Sequence, residues 1–398
     1  MDFGLSEEQE MLRQSAHQFL EAECGMTYVR KMMEDDTGYS EDQWKKMADL
    51  GWMGLIFPEQ YGGSGLSMAD LVVVLEEMGR VVMPGPFFAT VILGGLALDL
   101  GGSETQKQRY LPDLCAGKLK TTLAQLEESG RWDAEGIQLP AKKARAGYSL
   151  SGSKLFVPDA HNADLLVVPA RTARKGPDGI SLFLVDAKQE GVKTTLLKTM
   201  DQTRKLCEVT FDKVKVGTDV ILGGVGQGWA LLERVLDHAK VALCAEICGG
   251  AQRVLEMSVE YAKMREQFGR PIGSFQAIQH KCANMMVQTE SAKSATYYGA
   301  WAVANDAPDA HLAACMAKAY CSDAYRYVTA EGIQIHGGIG FTWEHDMHIY
   351  FKRAKGSEVT FGDATWNREL VAREVLDKPD AGEELGVTPE GPAQVGPG

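Results

Sequence analysis

The hydrophobic period changes twice along the chain, and this double change limits the architectures open to it more than any other feature. From residue 1 to about 117, apolar residues recur at helical spacing, as in Met11, Leu12, Ala16, Phe19 and Leu20 behind the cap Ser6-Glu7-Glu8-Gln9. From about 118 to 220 the period is two. Cys207, Val209 and Phe211 fall on one face of a strand, and Glu208, Thr210 and Asp212 on the other. From Gln227 to Leu376 the helical period returns in long segments rich in Ala, Met and Leu, divided by short Gly or Pro turns. A helix-period pattern does not hold as a strand, so three units follow: a helical domain over 1–117, a β domain over 118–225 and a helical bundle over 226–377. Helices are expected at Asp42–Leu50, Ala69–Arg80, Phe88–Leu100 and Ser103–Leu111, and strands at Thr121–Leu126, Tyr148–Val157, Leu165–Ala170, Ser181–Asp186 and Cys207–Val216. The end, 378–398, carries Pro379, Pro389, Pro392 and Pro397 without periodicity and reads as a flexible tail.

Charge and cysteine usage narrow the function. A net charge of -13, with Lys and Arg gathered into no stripe, opposes nucleic-acid binding. No apolar run approaches membrane-spanning length and no signal-peptide pattern opens the chain, so a cytoplasmic protein is expected. The eight cysteines form no CxxC pair, which argues for reduced, buried thiols and against a metal centre.

Two runs carry ligand-binding character. Gln334-Ile335-His336-Gly337-Gly338-Ile339-Gly340 lets backbone approach a phosphate or a nucleotide edge, since paired glycines hold no side chain in the way. Upstream, Tyr261-Ala262-Lys263-Met264-Arg265-Glu266-Gln267-Phe268-Gly269-Arg270-Pro271 passes from a helical pattern through an arginine suited to bidentate phosphate contact into a Phe-Gly turn. With the punctuated loop from Trp52 to Gly65, these motifs resemble the acyl-CoA dehydrogenase superfamily, and the similarity runs from Leu5 to Glu374. The resemblance implies an α+β fold with an N-terminal helical domain, a middle antiparallel barrel or sandwich and a C-terminal four-helix bundle. It also implies FAD as cofactor, an acyl-CoA substrate, a tetramer and an electron-transfer flavoprotein as acceptor. Arg265, Gln267, Phe268, Gln276, Gln334, Gly337, Gly338 and Thr365 would hold FAD, its ADP half being gripped across a subunit interface. Asp237 and Lys240 match positions that contact pantetheine and its phosphates.

The chain departs from the family where the chemistry would be. Desaturation needs a base at the α carbon and a hydride acceptor at the β carbon. The usual glutamate of the family falls on Phe361, and its alternative seat falls on Ala239. Asp363, His238 and Glu246 remain as substitutes, and Asp363, on the same loop as Phe361, has the best claim of the three to act as base, although the residue is better suited to accepting N–H groups at the start of the last helix. The hydroxyl-bearing ring contacts are replaced by Leu123-Ala124-Gln125-Leu126-Glu127 and Leu155-Phe156-Val157-Pro158, leaving Gln125 and Phe156 to meet the isoalloxazine. Two readings follow for a dehydrogenase. The chain is one half of an α2β2 enzyme that clamps a partner's FAD, or a homotetramer with a relocated base. A third, from another class, is a non-catalytic CoA-ester-binding or scaffold protein on the same fold.

Overall fold

The computed structural model describes residues 4–173 and 176–376, so the expected tail at 378–398 lies outside the described residues. The N-terminal unit holds α1 (Glu7–Glu23), α2 (Met26–Glu34), α3 (Glu41–Asp49), α4 (Met68–Arg80), α5 (Leu96–Gly101) and α6 (Glu104–Cys115). Ser6 caps α1 through a reciprocal box with Gln9, as the sequence suggests, and Ser103 with Gln106 does the same for α6. The helix expected at Phe88–Leu100 is divided: Phe88–Gly95 is a π-helix and only then does α5 begin. Its glycines sit against neighbouring elements. A Cβ on Gly94 would lie 1.9 Å from Thr121 Oγ1, so the π segment packs directly on the first strand of the next unit.

That unit has two four-stranded sheets. One runs in the order β1 (Thr121–Leu123), β4 (Leu165–Arg171), β5 (Ile180–Asp186), β8 (Ile221–Leu222). The other runs β2 (Ala141–Ala144), β3 (Gly147–Pro158), β7 (Leu206–Val216), β6 (Val192–Leu197). The sandwich is therefore not wholly antiparallel, because β1 pairs parallel with β4. Strands β2, β6 and β8 escape a period-two reading because they are short or carry few apolar residues. Strand β3 is irregular against β7 between Lys154 and Val157, and there Phe156 takes φ +52° and turns outward, 48% exposed.

The C-terminal unit consists of α7 (Gly228–Met264), α8 (Gln276–Ala304) and α9 (Ala310–His336), with the shorter α10 (Met347–Val359) and α11 (Ala364–Leu376) both packed on α9. Among the described residues, three long helices and two short ones make up the expected C-terminal bundle. Helix α7 also crosses α4 at very close range. A Cβ on Gly79 would meet Glu246 O at 2.0 Å, and one on Gly249 would meet Glu76 O at 1.7 Å, so only glycine permits this crossing. It ties the N-terminal unit to the bundle and fixes the height of Glu246. Among the described residues no helix is long and apolar enough to cross a membrane.

Candidate active site

The end of β1, the end of β3 and the last turn of α10 surround a cavity of about 450 Å³. Gln125, Leu126, Phe156 and Pro158 line it from the β domain, Asp201 and Arg204 from the loop before β7, and Lys355, Gly356, Val359, Thr360 and Phe361 from α10 and the turn after it. The Gln125 segment is held by β3. Leu155 N–H donates to Leu126 O (2.8 Å), and the buried Lys154 donates to Gln125 O (3.2 Å) and Glu127 Oε1 (2.7 Å). Burial pushes the Lys154 ammonium down to about 8, with Glu127 opposing the shift. Gln125 is 4% exposed, and both its side-chain amide atoms lack a partner among the described residues. A buried amide with a free donor and a free acceptor suits the edge of a planar heterocycle carrying both, as the pyrimidine ring of a flavin does.

Phe361, where the sequence reading expects the usual base, belongs to an aromatic cluster. Phe361 is buried, its ring 6.1 Å from that of Phe88 and 5.5 Å from that of Trp132. It adopts φ +59°, a left-handed conformation costly for a bulky side chain, and is strapped there by its neighbours. Lys318 donates to Glu358 O and Gly362 O at 3.1 and 3.0 Å, while Asn367 Nδ2 donates to Phe361 O and Gly362 O at 3.3 and 3.0 Å. On the far side of Phe361 lies a second cavity of about 230 Å³, lined by Trp229, Glu233, Asp237, His311, Trp366 and Arg373 among others. Phe361 and Trp132 line both cavities and stand as the wall between them.

The three substitute bases are placed differently. Asp363 is exposed, and its Oδ1 accepts the Trp366 N–H at 2.7 Å, the bond of a helix N-cap. His238 sits on α7 with Nδ1 2.9 Å from Arg234 O. Glu246 is bonded to the Arg204 guanidinium and lines a 20 Å³ void behind Phe88, shared with Asp159 and Arg353. Burial, with the Arg353 cation beside it, holds Arg204 down to about 9, and burial raises Asp159 to about 7. Arg204 lies 4.8 Å above the Phe88 ring and also lines the larger cavity, so it separates Glu246 from that space.

Asp237 and Lys240, expected at pantetheine, turn inward. His311 Nδ1 lies 3.0 Å from both Asp237 oxygens, and Lys240 Nζ donates to Asp237 Oδ1 and to Cys315 Sγ, each at 3.2 Å. The Asp237 hydrogen bond raises His311 to about 10. Sequence reading missed Arg204, His311, Cys315 and Trp132. The i, i+4 spacing of His311 and Cys315 on α9, opposite Asp237 and Lys240 at i, i+3 on α7, was the one available signal.

The ADP-clamp candidates gather at another place. Arg265 ends α7, Gln267 and Phe268 form the hairpin of β9 (Glu266–Gln267) and β10 (Arg270–Pro271), and Gln276 opens α8. Gln334 lies in the last turn of α9, which stops at Gly337 with φ +63°. A stack of Tyr261 on His336, centroids 4.5 Å apart, joins the two segments. All seven are exposed, Phe268 at 93%, and none belongs to the lining of the 450 Å³ cavity. Thr365, in the first turn of α11, is exposed as well.

The N-terminal, middle and C-terminal domain models of the acyl-CoA dehydrogenases match residues 6–118, 122–214 and 226–376. The chain is 33% identical to acyl-CoA dehydrogenase IpdE2 of Mycolicibacterium smegmatis, over 90% of this chain and 96% of that protein. It is 30% identical to the caffeyl-CoA reductase-Etf complex subunit CarC of Acetobacterium woodii, over 94% of this chain and 99% of the other. A solved structure, the ChsE4-ChsE5 complex of Mycobacterium tuberculosis, superposes with a TM-score of 0.87 at 28% identity, covering 95% of this chain and 100% of that one. The chain belongs to the acyl-CoA dehydrogenase family, whose cofactor is FAD.

Proposed function

We propose that this chain is the clamp half of a mixed acyl-CoA dehydrogenase, an α2β2 assembly that introduces an α,β double bond into an acyl-CoA thioester and passes the electrons to an electron-transfer flavoprotein. The observation that carries this reading is Phe361. The position that would take the α proton holds a hydrocarbon, packed on Phe88 and Trp132 as a wall between the ring-side cavity and the cavity on the Asp237 side. Asp363 is engaged as a helix cap, which leaves its carboxylate turned to the Trp366 N–H.

FAD, when bound, supplies the hydride acceptor. This chain's contribution to it is the exposed end of the bundle. Arg265 and Gln267 offer donors to phosphate, Gln334 an amide, and Gly337 and Gly338 open backbone, for neither glycine has a heavy atom within 4 Å of an added Cβ. Phe341 at 74%, Trp343 at 51% and Phe268 at 93% exposure surround the clamp, an apolar rim suited to contact with another chain. The partner would supply the base and the main ring pocket. The orphaned Gln125 amide is the observation that favours the second reading, a homotetramer with a ring site in each chain's own cavity.

Flavin absorbance per polypeptide tests the proposal. The chain purified alone, with FAD added, should retain little flavin and no dehydrogenase activity. Both should appear together on mixing with a second dehydrogenase subunit that carries the glutamate. One tightly held FAD per chain together with turnover by the isolated protein would overturn it.

A further inference from the structure

The buried group of Lys240, Cys315, Asp237 and His311 has no part in the function proposed above. Lys240 Nζ stands 3.2 Å from Cys315 Sγ and 3.2 Å from Asp237 Oδ1, and His311 places Nδ1 on Asp237 and Nε2 3.7 Å from the same sulfur. Asp237, His311 and Cys315 together have the composition of a transition-metal site. The ammonium of Lys240 already holds the place between carboxylate and thiol that an ion would take, so the cation of this site is a side chain. An amine and a thiol held at contact distance, and fixed there by Asp237 and His311, form a different kind of site.

We infer that Lys240 and Cys315 are a modification site, at which hydrogen peroxide joins the lysine nitrogen to the cysteine sulfur through a bridging oxygen. Two molecules of peroxide are consumed. The first gives one oxygen to the thiol, forming the sulfenic acid and one water. The second removes the sulfenic O–H hydrogen and one N–H hydrogen of the neutral amine, with their electrons, as the N–O bond forms, and is itself reduced to two waters. Lys240 lines the 230 Å³ cavity, and it first releases its ammonium proton to solvent hydroxide there. Peroxide is of water size, and the 230 Å³ cavity touches Lys240 and His311, which gives it a route to a thiol that is itself buried. The bridge would join α7 to α9 beside the Phe361 wall.

Other buried thiols provide an internal contrast. Cys248 shares the Thr296 hydroxyl with Cys321, at 3.3 and 3.4 Å, and the nearby Lys318 spends its donors on Ser322, Glu358 O and Gly362 O and not on a sulfur. They should remain unmodified under the same treatment.

The test is peroxide titration of the full chain followed by digestion and mass spectrometry. Expected is a linked peptide pair containing residues 240 and 315, heavier than the sum of its parts by about 14 Da, one oxygen gained and two hydrogens lost, and cleaved again by a thiol reductant. Cys315→Ser and Lys240→Arg should each abolish it. The arginine variant keeps a cation beside Asp237 and should show sulfenic or sulfinic acid on Cys315 instead. Sulfinic acid on Cys315 in the wild type without a linked pair, or no reaction at Cys315 at all, would overturn the inference.

Discussion

Replacing Phe361 by alanine and by glycine separates two properties of the wall, its packing and its backbone. The ring is 5% exposed and touches two aromatic neighbours, so its loss falls in the class of large-to-small core substitutions, about 3–5 kcal/mol. Cavities border it on both sides, and fewer atoms lose a partner than in a solid core. The lower end, about 3 kcal/mol, is expected for Phe361→Ala. The backbone adds a sign. At φ +59° a residue with a Cβ carries about 1–2 kcal/mol of strain that glycine does not. Against this stands the extra chain entropy of glycine in the unfolded state, about 0.4–1 kcal/mol. Phe361→Gly should therefore be at least as stable as Phe361→Ala, whereas at an ordinary helical or strand position alanine wins. Urea unfolding followed by tryptophan fluorescence reads both, since Trp132 packs on the ring and Trp366 lines the adjoining cavity. Alanine more stable than glycine by about 1 kcal/mol would refute the left-handed turn. Losses below about 1 kcal/mol in both variants would refute the packed wall.

Arg265→Ala should weaken FAD retention by the mixed assembly about tenfold, the worth of a charge-assisted phosphate contact, read by gel filtration; unchanged retention removes Arg265 from the clamp. Asp363→Asn should leave activity of the assembly and stability nearly unchanged, because asparagine caps a helix as well as aspartate does, and a collapse of turnover would return Asp363 to the role of base. The His311–Asp237 pair should make stability fall as pH rises. His311 is raised from 6.5 to about 10, so its contribution is complete below about 6.5, declines through the interval and is absent above about 10. Thermal melts across that range should show a slope in the wild type that His311→Gln removes, and equal slopes would show that the pair contributes nothing.

The order of the three units was legible in the chain because hydrophobic period is a local property, repeated every two or 3.6 residues whatever the element later touches. The cap at Ser6 was legible for the same reason: it is complete within a few residues. Local pattern also showed that residue 361 has no group to accept a proton. It did not give the parallel pairing of β1 with β4, which depends on residues more than forty positions apart. Nor did it show what Phe361 does, because a wall is a relation among Phe88 in the π segment, Trp132 in the loop after β1 and the α10–α11 turn. Asp237 and Lys240 make the same point. As letters they resemble family positions that meet the substrate; that α9 packs against α7 and brings His311 and Cys315 to them as hydrogen-bond partners is in no local pattern. Side-chain chemistry is carried by the sequence, and the partner that uses it is chosen by packing.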